Sequence, residues 1–198
     1  MTKIITVGPK GTFSDVATNI YINNSNKDYE IEYRSSINDV FMSVDSEDKI
    51  GIIPIENSLD GYVEPVLDLF SEGNLKIIEE LKVPVHYAFA GNATGLDEIK
   101  TIYGQFKTQG QCMKFLNSIK DAKVVTTSSD MESYEKLKEG NQGDGAIIPS
   151  NILKDKCDFH FTIDDVTDDE NNVTKFIVVA KNDSEYDSSK QYRTSIVI

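Results

Sequence analysis

The chain has 198 residues, of which 39% are hydrophobic and 27% charged, and 33 acidic against 20 basic side chains give a formal charge of -13. That length and apolar content suffice for a buried core, in one domain or in two small lobes. The charge excludes a nucleic-acid surface, which needs a basic stripe, and no apolar run approaches the ~20 residues that span a bilayer. The N-terminus has no charged start followed by a signal-type apolar stretch, so a cytoplasmic protein is expected. Cys112 and Cys157 stand in helix-like contexts and read as reduced thiols, and the two isolated histidines argue against zinc. A small anion remains possible, held by local backbone amides and one or two cations against an unfavourable global field.

In chain order, Ile4-Ile5-Thr6-Val7 reads as a buried strand, followed by a glycine-containing turn and a helix with Val16, Ala17, Ile20 and Tyr21 on one face. A second unit pairs the strand Glu30–Tyr33 with a helix capped near Ser36 that turns Val40, Phe41 and Val44 inward. The strand Ile50–Ile53 then precedes a turn at Glu56-Asn57-Ser58 and a helix face of Val63, Val66, Leu67 and Phe70. From Leu75 to Phe89 the apolar residues alternate at Leu81, Val83, Val85, Tyr87 and Phe89, which reads as an extended crossing segment. Alternation of strand and helix resumes with Thr101–Tyr103, a helix around Cys112 to Ile119, Val124-Val125, a helix around Tyr134 and Leu137, Ala146–Ile148, and a helix from Ser150. The chain then passes back through Phe159 to Thr162 and ends in the apolar strand Phe176–Ala180.

This pattern predicts an α/β protein of two similar lobes with a central cleft. The first lobe is 1–75 plus 160–181, the second 76–159, and 182–198 follows as a polar linker and a further strand. Ligands in α/β sheets lie beyond the carboxyl ends of strands, where the turns at Thr12 and Ser58 fall, each opening a helix. Each residue also has a plain structural reading. Ser14 and Ser58 are ordinary helix caps, Thr174 is a good strand former, Phe176 suits a core, and Lys175 a solvated surface. His86, inside the alternating segment, reads as a structural histidine.

Three segments together carry a more specific signal. Gly8-Pro9-Lys10-Gly11-Thr12-Phe13-Ser14, Pro54-Ile55-Glu56-Asn57-Ser58-Leu59-Asp60-Gly61-Tyr62-Val63 and Asn172-Val173-Thr174-Lys175-Phe176 resemble the G-P-x-G-T-F-S, P-I-E-N-S-x-x-G-x-V and N-x-T-R-F motifs of the prephenate dehydratase catalytic domain. Asp168 matches an acidic residue just upstream of the third motif, and the likeness runs from about Lys3 to Ala180 in the family's order. The resemblance implies a fold like that of type II periplasmic binding proteins. It also implies a reaction, the loss of carbon dioxide and water from prephenate to give phenylpyruvate, with no metal or organic cofactor. By the same resemblance Thr174 is the catalytic residue, donating a hydrogen bond to the departing hydroxyl. Thr12, Ser14, Asn57, Ser58, Asn172, Lys175, Phe176 and Gln111 are the substrate-binding set, and a homodimer is implied.

Two departures matter. Lys175 stands where the family has arginine, keeping the charge without the planar fork that grips a carboxylate. The stretch Gly104–Cys112 aligns with a family segment commonly reading S-H-P-Q-A-L-A-Q-C, and only Gln111 and Cys112 agree. The run Thr194–Ile198 resembles the opening strand of the phenylalanine-binding ACT domain and stops there, so that regulatory domain is expected to be missing, whether lost or cut off. Arogenate dehydration, prephenate decarboxylation without dehydration, and a non-catalytic small-anion sensor stand as alternatives within this reading.

Overall fold

The computed structural model describes residues 1–25, 27–155, 159–184, 187–189 and 191–192. It divides into two units. Met1–Val83 form the body of the first, with β1 (Thr2–Val7), α1 (Phe13–Asn24), β2 (Tyr29–Arg34), α2 (Ile37–Ser43), β3 (Lys49–Asn57), β4 (Gly61–Tyr62), α3 (Glu64–Glu72) and β5 (Lys76–Pro84). Pro84–Asn172 form the second, with β6 (Tyr87–Gly91), a 3-10 turn at Leu96–Glu98, β7 (Thr101–Gln105), α4 (Phe106–Gln111), α5 (Met113–Ser118), β8 (Lys123–Thr127), α6 (Asp130–Lys138), β9 (Asp144–Pro149), α7 (Ser150–Asp155) and β10 (Phe161–Ile163). At Val173 the chain returns to the first unit as β11 (Val173–Ala180).

The first sheet has the order β2-β1-β3-β11-β5, with β4 paired to β3. Strands β1, β2 and β3 run parallel, and β11 runs antiparallel to β3. Both faces of this sheet are covered, which is why its central strands are nearly continuous apolar runs. Alternate residues serve different cores. Ile4, Ile52, Phe176 and Val178 pack with Ala17 and the inner face of α1, whereas Ile5, Ile53, Ile177 and Val179 pack with Val40, Phe41 and Val66 under α2 and α3.

The second sheet has the order β10-β6-β9-β7-β8, with β7 parallel to both β8 and β9, and β6 antiparallel to β9 and β10. Ala88, Ala90, Ala146 and Ile148 pack against Tyr134 and Leu137 of α6 and Ile152 and Leu153 of α7. The small side chains on β6 let these helices approach closely. Phe89, on the opposite side, meets Phe115 and Phe161 at ring-centroid distances of 5.1 and 6.3 Å. Among the described residues no helix is long and apolar enough to cross a membrane.

The two-unit α/β architecture agrees with the pattern read from the sequence, but the crossings fall elsewhere. The alternating run is two strands: Leu81 and Val83 of β5 bury in the first core, and Tyr87 and Phe89 of β6 belong to the second unit. The outward crossing therefore lies at Val83/Pro84, later than the expected boundary after residue 75. The return lies at Asn172/Val173, because β10 pairs with β6 instead of rejoining the first sheet at residue 160. The single helix expected around Cys112 is two short ones, parted where Cys112 leaves helical geometry at φ -130°. Cys157 and the run Thr194–Ile198 lie outside the described residues.

Candidate active site

Parallel pairing sets the carboxyl ends of β1 and β3 at one edge of the first sheet, and the antiparallel β11 begins at that same edge. The three motifs, separated by some 40 to 110 residues of chain in the sequence, are thus neighbours in the sheet order. Two arise as turns leaving a strand for a helix or a short hairpin, and the third as a strand entering the sheet.

Thr174 pairs in register with Asn57. The Asn57 amide donates from Nδ2 to Thr174 Oγ1 at 2.9 Å, while its Oδ1 accepts the backbone N–H groups of Leu59 and Asp60 at 2.9 and 3.0 Å. Those two backbone donors fix which end of the amide faces the threonine. An –NH2 group cannot accept, so the Thr174 hydroxyl receives from Asn57 and must aim its own proton elsewhere. Among the described residues nothing takes that proton. Ser58 clamps the start of β11: its N–H donates to the Val173 carbonyl at 2.9 Å, and its Oγ accepts the Val173 N–H at 3.0 Å.

The β1–α1 turn is the second component. Thr12 caps α1, accepting the Asp15 N–H at 3.4 Å and donating to the Pro9 carbonyl at 3.0 Å, so its hydroxyl is spent on the turn. Ser14, in the first turn of α1 and 8% exposed, has no side-chain hydrogen bond among the described residues, and its hydroxyl is available to a ligand at a helix N-terminus. Asp15 was not among the expected site residues. Its buried carboxylate accepts from Gly11 N–H, Tyr33 O–H and Asn19 Nδ2. Burial, and then the bond to Asp15, push the Tyr33 phenol well above its ordinary range. Thr12-x-x-Asp15 is a capping-box pattern, so the sequence held a signal for Asp15. Tyr33, eighteen residues on in another strand, gave none.

Strand alternation separates Lys175 from Thr174 and returns Phe176 to its face. Phe176 shares the α1 face with Thr174 but is a core side chain, 1% exposed. Lys175 lies on the α2–α3 face, where its Nζ pairs with Glu56 Oε2, its cross-strand partner. A register shift follows at once, with Phe176 opposite Pro54, so Ile55 is an extra residue in β3. Its carbonyl accepts the Val63 N–H at 2.9 Å. The bulge lets Glu56 follow Ile55 onto the same face.

Gln111 and Asn172 belong to the second unit. Both are buried, and Asn172 Nδ2 donates to Gln111 Oε1 at 2.8 Å. Asp168 accepts the Lys114 N–H at 3.0 Å and so caps α5, while Lys114 Nζ donates back to the Asp168 carbonyl at 2.9 Å. The stretch that departs from the family is internally engaged. Gln105 caps α4 through its own Oε1, Gln109 bonds Gly104 and Thr126, and Thr108 donates to Asp130 at 2.6 Å. Burial, opposed in part by that bond, raises the Asp130 carboxyl to about 6. Burial and the neighbouring Asp168, Asp130 and Asp165 carboxylates push the Cys112 thiol far up, so it is no nucleophile at neutral pH. His86 Nδ1 lies 3.3 Å from Asp165 Oδ2.

These features define a two-unit α/β protein that brings an oriented threonine hydroxyl and a helix N-terminus to one sheet edge. The sequence profile of the prephenate dehydratase family matches residues 4–184. The prephenate dehydratase of Methanocaldococcus jannaschii is 31% identical over 194 residues, covering 96% of this chain and 68% of that protein. The bifunctional chorismate mutase/prephenate dehydratase of Buchnera aphidicola is 26% identical over 193 residues, and the chain spans only 50% of its length. The prephenate dehydratase structure from Staphylococcus aureus shares the fold, with a TM-score of 0.78 at 24% identity over 95% of this chain and 69% of that one. The chain belongs to the prephenate dehydratase family.

Proposed function

We propose that this chain is a prephenate dehydratase, converting prephenate to phenylpyruvate, carbon dioxide and water. The observation that carries the reading is the Asn57–Thr174 bond, which commits the threonine oxygen as an acceptor and leaves its O–H to donate. As the ring carboxylate departs as carbon dioxide, its bonding pair enters the ring and the ring hydroxyl leaves with the opposite pair. Thr174 donates a hydrogen bond to that leaving oxygen as negative charge builds, the departing hydroxide takes a proton from solvent to become water, and aromatisation drives the step forward. No residue needs to hold a full charge in this scheme.

The Ser14 hydroxyl and the N-terminus of α1 hold a substrate carboxylate, with Thr12 shaping the turn and Ser58 fixing β11 beside Asn57. Asn172 and Gln111 steady the chain just before Val173. Phe176 anchors β11 in the core. Lys175, engaged with Glu56 on the far face, keeps the strand end in register, which explains how lysine can replace arginine without loss of a carboxylate grip. Action in the cytoplasm as a homodimer is part of the same reading and rests on the family alone.

The test is incubation with prephenate while following phenylpyruvate formation. Turnover is expected without added metal or cofactor. A folded protein that yields no product from prephenate would overturn the reading, and product formed from arogenate alone would move the substrate.

A further inference from the structure

We propose that Tyr33 and Asp15 form a positioning pair that sets the Gly8–Ser14 turn for substrate binding; this rests on the dehydratase reading. Tyr33 touches the turn at both ends. A Cβ on Gly8 would fall 2.7 Å from Tyr33 Cβ, so the side chain of β2 rests directly on the Gly8 backbone. Its hydroxyl donates to Asp15 Oδ1 at 2.6 Å, and Asp15 Oδ2 accepts the Gly11 N–H at 3.0 Å. Gly8 N–H also donates to the Arg34 carbonyl at 2.9 Å, which ties the start of the turn to the same strand.

Gly11 has φ 97°, a left-handed conformation that a turn without cross-links would adopt only part of the time. The Asp15 carboxylate holds it there from one side chain. A carboxylate suits this role because both of its oxygens accept and its charge strengthens each bond. An amide that kept the Gly11 bond would turn its –NH2 group toward Tyr33, whose hydroxyl can accept, and toward Asn19 Nδ2, which cannot; the Asn19 bond is lost, the tyrosine bond is reversed, and none of those that remain is charge-assisted. Ser14 and Thr12 follow directly from the position of Gly11.

The negative charge of Asp15 works against a dianionic substrate bound at the adjacent helix N-terminus. Charge and geometry therefore predict opposite effects of Asp15→Asn. Removal of the charge alone would lower KM, whereas loss of the brace raises it.

Steady-state kinetics on prephenate for the unaltered protein, Tyr33→Phe and Asp15→Asn, together with amide hydrogen exchange at Gly11, test the pair. Expected are faster exchange at Gly11 in both variants and KM raised about tenfold, with kcat changed little, the size of one hydrogen bond to a charged group. A lowered KM in Asp15→Asn, an unchanged KM with faster exchange, or unchanged exchange would each overturn the proposal. Tyr33→Phe removes a single oxygen and decides the matter if Asp15→Asn does not fold. If the unaltered protein does not turn over prephenate, the dehydratase reading fails separately, and exchange at Gly11 still reports whether the brace exists.

Discussion

At the scale of the residue, one amide decides what Thr174 can do. A threonine hydroxyl is both donor and acceptor, and only a neighbour of fixed polarity assigns it a single role. Asn57 is such a neighbour because Leu59 and Asp60 already occupy its carbonyl oxygen. Thr174→Val keeps the shape and removes the donor. The expected result is a fall in kcat of about 100- to 1000-fold, the effect of losing one preorganised donor at a developing negative charge, with KM moved far less. Parallel kinetics of the two proteins measure it, and a kcat unchanged by the substitution would show that the leaving oxygen is assisted elsewhere.

At the scale of the element, short polar signals fix where helices begin. Thr12, Ser36 and Ser129 each accept the backbone N–H of the residue three positions on, and Asp15, Asp39 and Glu132 stand at those positions. The start of α6 carries one cost. Asp130 is half-buried there, and loss of hydration outweighs the Thr108 bond in raising its carboxyl to about 6. A folded-state value above the unfolded one means that the folded protein holds the extra proton between about pH 4 and pH 6, so this group's contribution to stability falls as pH rises through that window. Asp130→Asn keeps an acceptor for Thr108 and removes the charge. It should raise the melting temperature at pH 7 and leave it nearly unchanged at pH 4; an equal shift at both would assign the effect to packing instead.

At the scale of the whole molecule, a formal charge of -13 opposes the approach of a dianion. Raising ionic strength from about 0.01 M to about 0.15 M shortens the screening length from roughly 30 Å to roughly 8 Å. The value of kcat/KM for prephenate should therefore rise with salt over that range. A steady fall would mean that local cations and amides, not the global field, dominate encounter. The same charge balance leaves the site to backbone dipoles and hydroxyls, and the one lysine beside Thr174 in sequence is turned away to Glu56.

The sequence by itself determined the alternation of strands and helices, the Ser36 cap and the three motifs, because these depend on periodicity and on contacts within a few residues; the caps read at Ser14 and Ser58 fall instead at Thr12 and Val63. It also held the alternation from Leu81 to Phe89, but an alternating run looks the same whether it serves one sheet or two, and so the crossings were misplaced. Only tertiary structure decided that β10 stays with β6, since strand pairing is a long-range choice. It alone separated Thr174 from Lys175, adjacent in the chain yet on opposite faces of a sheet buried on both sides, where each residue's surroundings are set by its register partner. And it alone joined Tyr33 to Gly11 through Asp15, a link made by parallel pairing of β1 and β2 that no local pattern announces.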